Sequence, residues 1–229
     1  MATKGVKLLG VWASGYVNRV EMALKTKSIK YEFIQDNLLY KSELLLKANP
    51  VYKKVPILFH DEKPICESLV ILQYIDEAWS NGPCILPSDP YDRAIARFWA
   101  SYVDQKWFPL VLDLLNTEGK TAKAALLEKM SEASVLLEEA FIKISKGKSF
   151  FGGDRIGHLD IVLGSTLGWV KANEIMNEMK ILDERKMPSL AEWDERFCSD
   201  KVLKDIIQQP EKLVEIFREF REIKKAASN

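Results

Sequence analysis

A chain of 229 residues with 47% hydrophobic side chains is long enough for one large domain or two small ones, and it can bury a core without disulfide or metal staples. Lysine plus arginine and aspartate plus glutamate number 33 each, so the chain lacks the basic footprint of a nucleic-acid binder or a reader of anionic membranes. It shows no signal-peptide core, no apolar run near the roughly 18 residues of a membrane span, and only three scattered cysteines, Cys66, Cys84 and Cys198; this reads as a cytosolic protein without a disulfide framework or zinc site.

In chain order, an apolar strand over 7–11 runs into Trp12-Ala13-Ser14-Gly15. Tyr16, Val17, Val20, Ala23 and Leu24 then recur at helical spacing, which predicts a helix over 15–27. A strand over 31–34, a short helix near 42–48, a strand over 57–60, a turn at Asp61-Glu62-Lys63, a strand over 64–66 and a helix over 67–79 follow. This is a βαβ unit completed by a hairpin and a closing helix. Pro56 stands at an X-Pro bond whose isomer the sequence leaves open. From Ser80 to Pro90 turn formers dominate, and the domain boundary is placed there: 1–79, a linker over 80–89, and 90–229. Beyond it, helices are predicted over 91–116, 121–145, 158–178, 189–199, 201–207 and 211–225, an all-α domain. Its most legible start is Ile156-Gly157-His158-Leu159-Asp160-Ile161, with Gly157 as N-cap and the Asp160 carboxylate placed to reach back. The basic last helix, with Phe217 and Phe220, is read as packing on that domain rather than on a membrane.

Two junctions carry chemistry. Ser14 sits where a strand meets a helix N-terminus, whose unpaired N–H groups and partial positive charge favour an anion. Glu67-Ser68 repeats the device at a second strand-to-helix junction, so one anionic ligand held at several points is expected. Without further context, Ser14 reads first as a helix N-cap, and a catalytic role is the minority reading. A hydrolase nucleophile would need a neighbouring base and a G-x-S-x-G elbow, but Trp12 occupies the first glycine position and the only histidines are His60 and His158. His60 and Asp61 read as an edge strand and turn, with no third ligand spaced for a metal.

Trp12-Ala13-Ser14, the run Asn49-Pro50-Val51-Tyr52-Lys53-Lys54-Val55-Pro56, the run Glu67-Ser68-Leu69-Val70-Ile71-Leu72-Gln73-Tyr74-Ile75-Asp76-Glu77, and Phe151-Gly152-Gly153-Asp154 with Asp160 resemble the plant tau-class glutathione transferases from about Val6 to Phe220. The resemblance implies an α+β fold, a thioredoxin-like domain followed by an all-helical one, and a homodimer that transfers the glutathione sulfur to hydrophobic electrophiles. Glutathione is then a co-substrate, with no cofactor and no metal. Carried over by position, Ser14 donates to the glutathione sulfur, Glu67 and Ser68 hold the γ-glutamyl end, Lys41 and Lys54 face the glycyl carboxylate, and the Val55 backbone pairs with the cysteinyl amide before a cis Pro56. Trp12, Tyr16, Phe108, Leu112, Leu115, Trp169 and Ile216 form the acceptor pocket. In such a setting the segment Ser14-Gly15-Tyr16-Val17 lacks the cysteine of a disulfide or dehydroascorbate reductase.

The chain departs from the family at Gly15, where proline is usual, and at Tyr16, where phenylalanine is. Proline pre-sets φ at a first helical position, so Gly15→Pro is expected to stabilise the chain by about 0.4–1 kcal/mol if the local backbone allows it. The departure at Gly15 also keeps a carrier of apolar metabolites with little turnover open beside the enzyme. A dedicated biosynthetic transferase or isomerase is the third reading, and hydroperoxide reduction by the same thiolate a side activity.

Overall fold

The computed structural model describes residues 5–37 and 39–228; residues 1–4, 38 and 229, which the domain spans expected above include, lie outside the described residues. Strand β1 (Val6–Gly10) lies at the centre, with helix α1 (Gly15–Thr26), strand β2 (Glu32–Gln35), helix α2 (Glu43–Ala48), strands β3 (Ile57–His60) and β4 (Lys63–Cys66), and helix α3 (Ser68–Ala78) following in order. The sheet order is β2-β1-β3-β4, with β1 and β2 parallel and the other two pairs antiparallel. The hairpin between β3 and β4 turns on Asp61 (φ 50) and Glu62 (φ 65), the double positive φ that suits the right-handed strand twist. Helices α1 and α3 pack together, and Leu8, Leu58, Val17, Val20 and Ile71 share a core that continues into the helical part. On the other face Leu45 of α2 closes a small cluster with Leu9, Ile57 and Phe59.

The segment after α3 has neither helix nor strand and is tied down at both ends. The Asp76 carboxylate accepts from Ile85 N and Leu86 N, both at 2.9 Å, and pairs with buried Lys27 at 2.7 Å. His158 N donates to Ile85 O at 2.8 Å.

Helices α4 (Pro90–Tyr102), α5 (Phe108–Asn116), α6 (Lys120–Ser145), α7 (His158–Gly164), α8 (Leu167–Asn177), α9 (Pro188–Cys198) and α10 (Pro210–Ser228) complete the chain. Helix α10 packs along α8, with Phe217 buried near Trp169. The cap expected at Gly157 is present: Asp160 Oδ2 accepts from Gly157 N at 2.9 Å. The same fully buried carboxylate also accepts from Phe151 N, Gly152 N and Trp193 Nε1, and joins loop, cap and α9 at one point. Burial pushes Asp160 up to about 6 although these four donors favour its charged form.

Three helical expectations are corrected. The span 91–116 is divided by a π-helical turn at Val103–Trp107, because Pro109 has no N–H for the carbonyl four residues before it and the ladder widens there. The span 158–178 breaks at Ser165 and Thr166, whose hydroxyls donate to Val162 O (2.9 Å) and Leu163 O (2.6 Å) and compete with the backbone ladder. Residues 201–207 form turns, not a helix: Asp200 Oδ1 accepts from Val202 N and Leu203 N, and the Ile206 carbonyl is taken by Asn18 Nδ2 at 2.7 Å.

Candidate functional site

Strand register alone brings the anion-binding candidates to one end of the sheet. Leu9 of β1 faces Ile57 of β3, Ile57 faces Cys66 of β4, and Gly10 faces Gln35 of β2. The segments leaving β1, β2 and β4 and the one entering β3 therefore emerge side by side. They carry Ser14, Lys41, Glu67 with Ser68, and Lys54 with Val55. The bond between Val55 and Pro56 is cis. Asn49 fixes the approach to it, donating from Nδ2 to Lys54 O at 3.0 Å and accepting Tyr52 N at 3.1 Å.

Ser14 is the N-cap of α1, with extended backbone (φ −85, ψ 117) and Oγ accepting Val17 N at 3.3 Å. The cap uses only a lone pair of Oγ and leaves its O–H free to donate, so cap and donor are compatible roles. The turn before it is held from the helical part: Trp169 Nε1 donates to Ala13 O at 2.8 Å, and Gln208 Nε2 donates to Trp12 O. Gly15 is pressed against the same part. A Cβ there would lie 3.0 Å from the Ser165 carbonyl oxygen and 3.4 Å from Phe108 Cζ. Glycine at this position thus permits a close approach of α1 to the α7–α8 break.

At the second junction Glu67 is exposed and left-handed (φ 69, ψ 114), a conformation a non-glycine residue holds only at a cost of about 1–3 kcal/mol and which clusters at ligand sites. Ser68 is buried below it, and its Oγ accepts Arg19 Nη1 at 3.0 Å. Arg19 is fully buried and grips Asp104 of the π-helical turn with two bonds of 2.9 and 2.7 Å. Because Ser68 Oγ accepts from a cation through one lone pair, its own O–H is left free to donate. Lys41 and Lys54 are exposed and make no ion pair among the described residues.

The apolar candidates all belong to one continuous core, but unequally. Phe108, Leu115 and Trp169 are buried, whereas Trp12, Tyr16, Leu112 and Ile216 are half-buried and pack against that core. Tyr16 meets Phe108 edge-on at 5.5 Å, and Lys212 Nζ lies 4.2 Å from the centre of the Trp12 ring. A cavity of about 370 Å³ lies elsewhere, between the ends of α6 and α9, and contains none of these residues. Its charges are already paired, Lys148 with Asp154 and Arg196 with Glu192. His60 is packing: Nδ1 is 2.7 Å from Tyr74 Oη and the ring stacks on Trp79. Among the described residues no group of three or more His, Cys, Asp or Glu could hold a metal, and no helix is long and apolar enough to cross a membrane.

Arg19, Asp104 and Gln208 were not expected from the sequence. Arg19 shares α1 with two other charged residues, Glu21 and Lys25, so nothing in the sequence marks it for burial; its partners are 49 and 85 residues away and no spacing announces them.

Comparison with known proteins bears on this arrangement. The family model described as glutathione S-transferase, N-terminal domain matches residues 4–77. Glutathione S-transferase U18 of Arabidopsis thaliana is 55% identical over 219 residues, covering 95% of this chain and 96% of its own. A crystal structure of a tau-class glutathione S-transferase from mango, Mangifera indica, superposes with a TM-score of 0.91 at 52% identity, covering 95% of this chain and 99% of that one. A rice glutathione S-transferase solved in complex with glutathione gives 0.86 at 33% identity, over 96% and 99% of the two chains.

Proposed function

The chain belongs to the tau class of glutathione transferases, and from that premise we propose that Ser14 and the N-terminus of α1 hold the glutathione sulfur as a thiolate for attack on a hydrophobic electrophile. The observation that carries this is the Ser14 hydroxyl: its oxygen caps α1, while its proton is free at the end of the sheet where the other three junctions meet. A free thiol titrates near 8.5, and lowering it by about two units takes about 2.7 kcal/mol. A hydrogen bond to a charged group supplies about 1.5–3 kcal/mol and the helix end roughly 0.3–1 kcal/mol more, so Ser14 keeps its own proton.

The rest of the tripeptide is assigned by chemistry. Glu67 takes the γ-glutamyl ammonium, and Ser68, whose oxygen accepts from Arg19 and whose O–H is left free to donate, takes the adjoining carboxylate. The Val55 backbone pairs with the cysteinyl amide, and the exposed Lys41 and Lys54 meet the glycyl carboxylate. Half-buried Trp12, Tyr16, Leu112 and Ile216 accept the electrophile against Phe108, Leu115 and Trp169. Residues 1–79 act as the glutathione-binding domain, 80–89 as linker and 90–229 as the acceptor domain. Exposed Val51, Tyr52, Tyr91 and Phe98 supply apolar surface for a homodimer, and three free cysteines suit a reducing cytosol. Calorimetry with glutathione, together with turnover of an aryl halide, tests the proposal. Micromolar binding without turnover would favour a carrier, and no binding would remove the site.

A further inference from the structure

Among the acceptor-pocket side chains Tyr16 carries the one hydroxyl, and Trp169 has already committed its N–H to Ala13 O. Tyr16 lies two residues beyond Ser14 in the first turn of α1, on the side that meets the π-helical turn and α5. Its ring is fixed on two sides: edge-on to Phe108 at 5.5 Å, and over the Arg19 guanidinium at 5.3 Å. Arg19 is in turn clamped by Asp104. Such a ring cannot wander. The hydroxyl makes no hydrogen bond with any described residue and is not among the sealed unsatisfied atoms, so it reaches solvent. Burial and the Asp104 charge raise the phenol above its ordinary 10, which keeps it a donor at any working pH.

We propose that Tyr16 is a catalytic hydrogen-bond donor for acceptors in which attack by sulfur creates an oxyanion, the α,β-unsaturated carbonyl compounds. This rests on the thiolate site at Ser14. In the step, the glutathione sulfur gives its electron pair to the β-carbon. The C=C π pair moves to join the α-carbon and the carbonyl carbon, and the carbonyl π pair moves onto oxygen. Tyr16 Oη–H donates to that oxygen as charge develops, the interaction by which a preorganised donor stabilises an oxyanion. Water then protonates the α-carbon as the carbonyl re-forms, and the hydroxide left behind is neutralised by the proton that the glutathione thiol released on forming the thiolate. The thiol has added across the double bond, and no oxidant or reductant is needed. Displacement on a benzyl halide places its charge on the departing halide and creates no oxyanion, so it gains far less from the phenol.

The test compares kcat for a vinyl ketone and for benzyl chloride, in the full chain and in Tyr16→Phe, with the glutathione Kd measured for both proteins. Removing a hydroxyl that makes no internal hydrogen bond leaves the fold intact, and circular dichroism and Tm check this. The proposal expects the ratio of vinyl-ketone to benzyl-chloride kcat to fall by about tenfold to hundredfold, in kcat more than in KM, with the glutathione Kd within about twofold. A parallel fall for both electrophiles, or none, would overturn the role of Tyr16 while leaving the thiolate site standing. Turnover of benzyl chloride without any vinyl-ketone turnover would overturn it too. If the unaltered chain uses neither electrophile, the thiolate site fails and the proposal fails with it.

Discussion

Gly15→Ala is the most informative single change near the sulfur site, because two effects of opposite sign meet there. In a helix, alanine is favoured over glycine by up to about 1 kcal/mol through its lower backbone entropy. Against this, the new Cβ would sit 3.0 Å from the Ser165 carbonyl oxygen and 3.4 Å from Phe108 Cζ. Ser165 is fully buried and cannot retreat freely: its N–H is bound to Ile161 O at 3.0 Å and its hydroxyl to Val162 O at 2.9 Å. Overpacking of this kind costs about 1–3 kcal/mol, so after the propensity gain the net expectation is a loss of up to about 2 kcal/mol. Gly15→Pro adds ring atoms at the same place and should also destabilise, the reverse of the gain that unfolded-state entropy alone predicts. Urea unfolding reads the result directly: the midpoint should fall with little change in slope. A midpoint at or above that of the parent chain would show that the Ser165 carbonyl yields, and would refute close approach as the reason for glycine.

Burial and the charges of Arg19 and Arg97 lower His158 to about 3. The unfolded chain therefore takes up this proton near 6.5 and the folded chain does not, which costs about 2 kcal/mol of stability as pH falls from 7 to 5. Asp160, raised to about 6, acts in the opposite direction over that range but equally in both proteins, so His158→Leu should gain about 2 kcal/mol at pH 5 relative to pH 7 against the parent; parallel pH curves would contradict this. Glu67→Gln or Ser68→Ala should weaken glutathione binding by about 1–3 kcal/mol in calorimetry, and unchanged affinity would sink the assigned orientation. Sedimentation at micromolar concentration should give about twice the 26.2 kDa chain mass, and a monomer would remove the proposed dimer.

What could be seen in the sequence was what depends on near neighbours. The Ser14 cap, the β3–β4 hairpin and the Asp160 return to Gly157 each involve residues within a few positions of one another, and local pattern suffices for them. Of the misjudged places, the break at Ser165 and Thr166 is made by local hydroxyl bonds, while the other two involve a missing donor or a partner far along the chain. The helix expected over 91–116 runs through Pro109, whose absent N–H opens the turn that carries Asp104 to Arg19. The Ile206 carbonyl leaves its own segment for Asn18, 188 residues away, and hydrophobic period cannot show that diversion. At the candidate site, residue types and order were readable, but the support beneath them was not. Arg19 under Ser68 and Gln208 on Trp12 emerge only from the packed chain.

The ultraviolet absorbance of bound glutathione thiolate against pH tests the central claim, compared between the parent chain and Ser14→Ala at saturating glutathione. Loss of the cap should cost the variant about 1 kcal/mol of stability, so both proteins are confirmed folded by circular dichroism before titration. Binding of S-methylglutathione, which has no sulfur proton to lose, controls for the rest of the site and should be nearly equal in the two. In the parent the bound thiol should titrate about two units below 8.5, and in Ser14→Ala it should return most of the way, leaving only the contribution of the helix end. Identical titration curves for the two proteins would contradict the account and leave Ser14 as a helix cap alone.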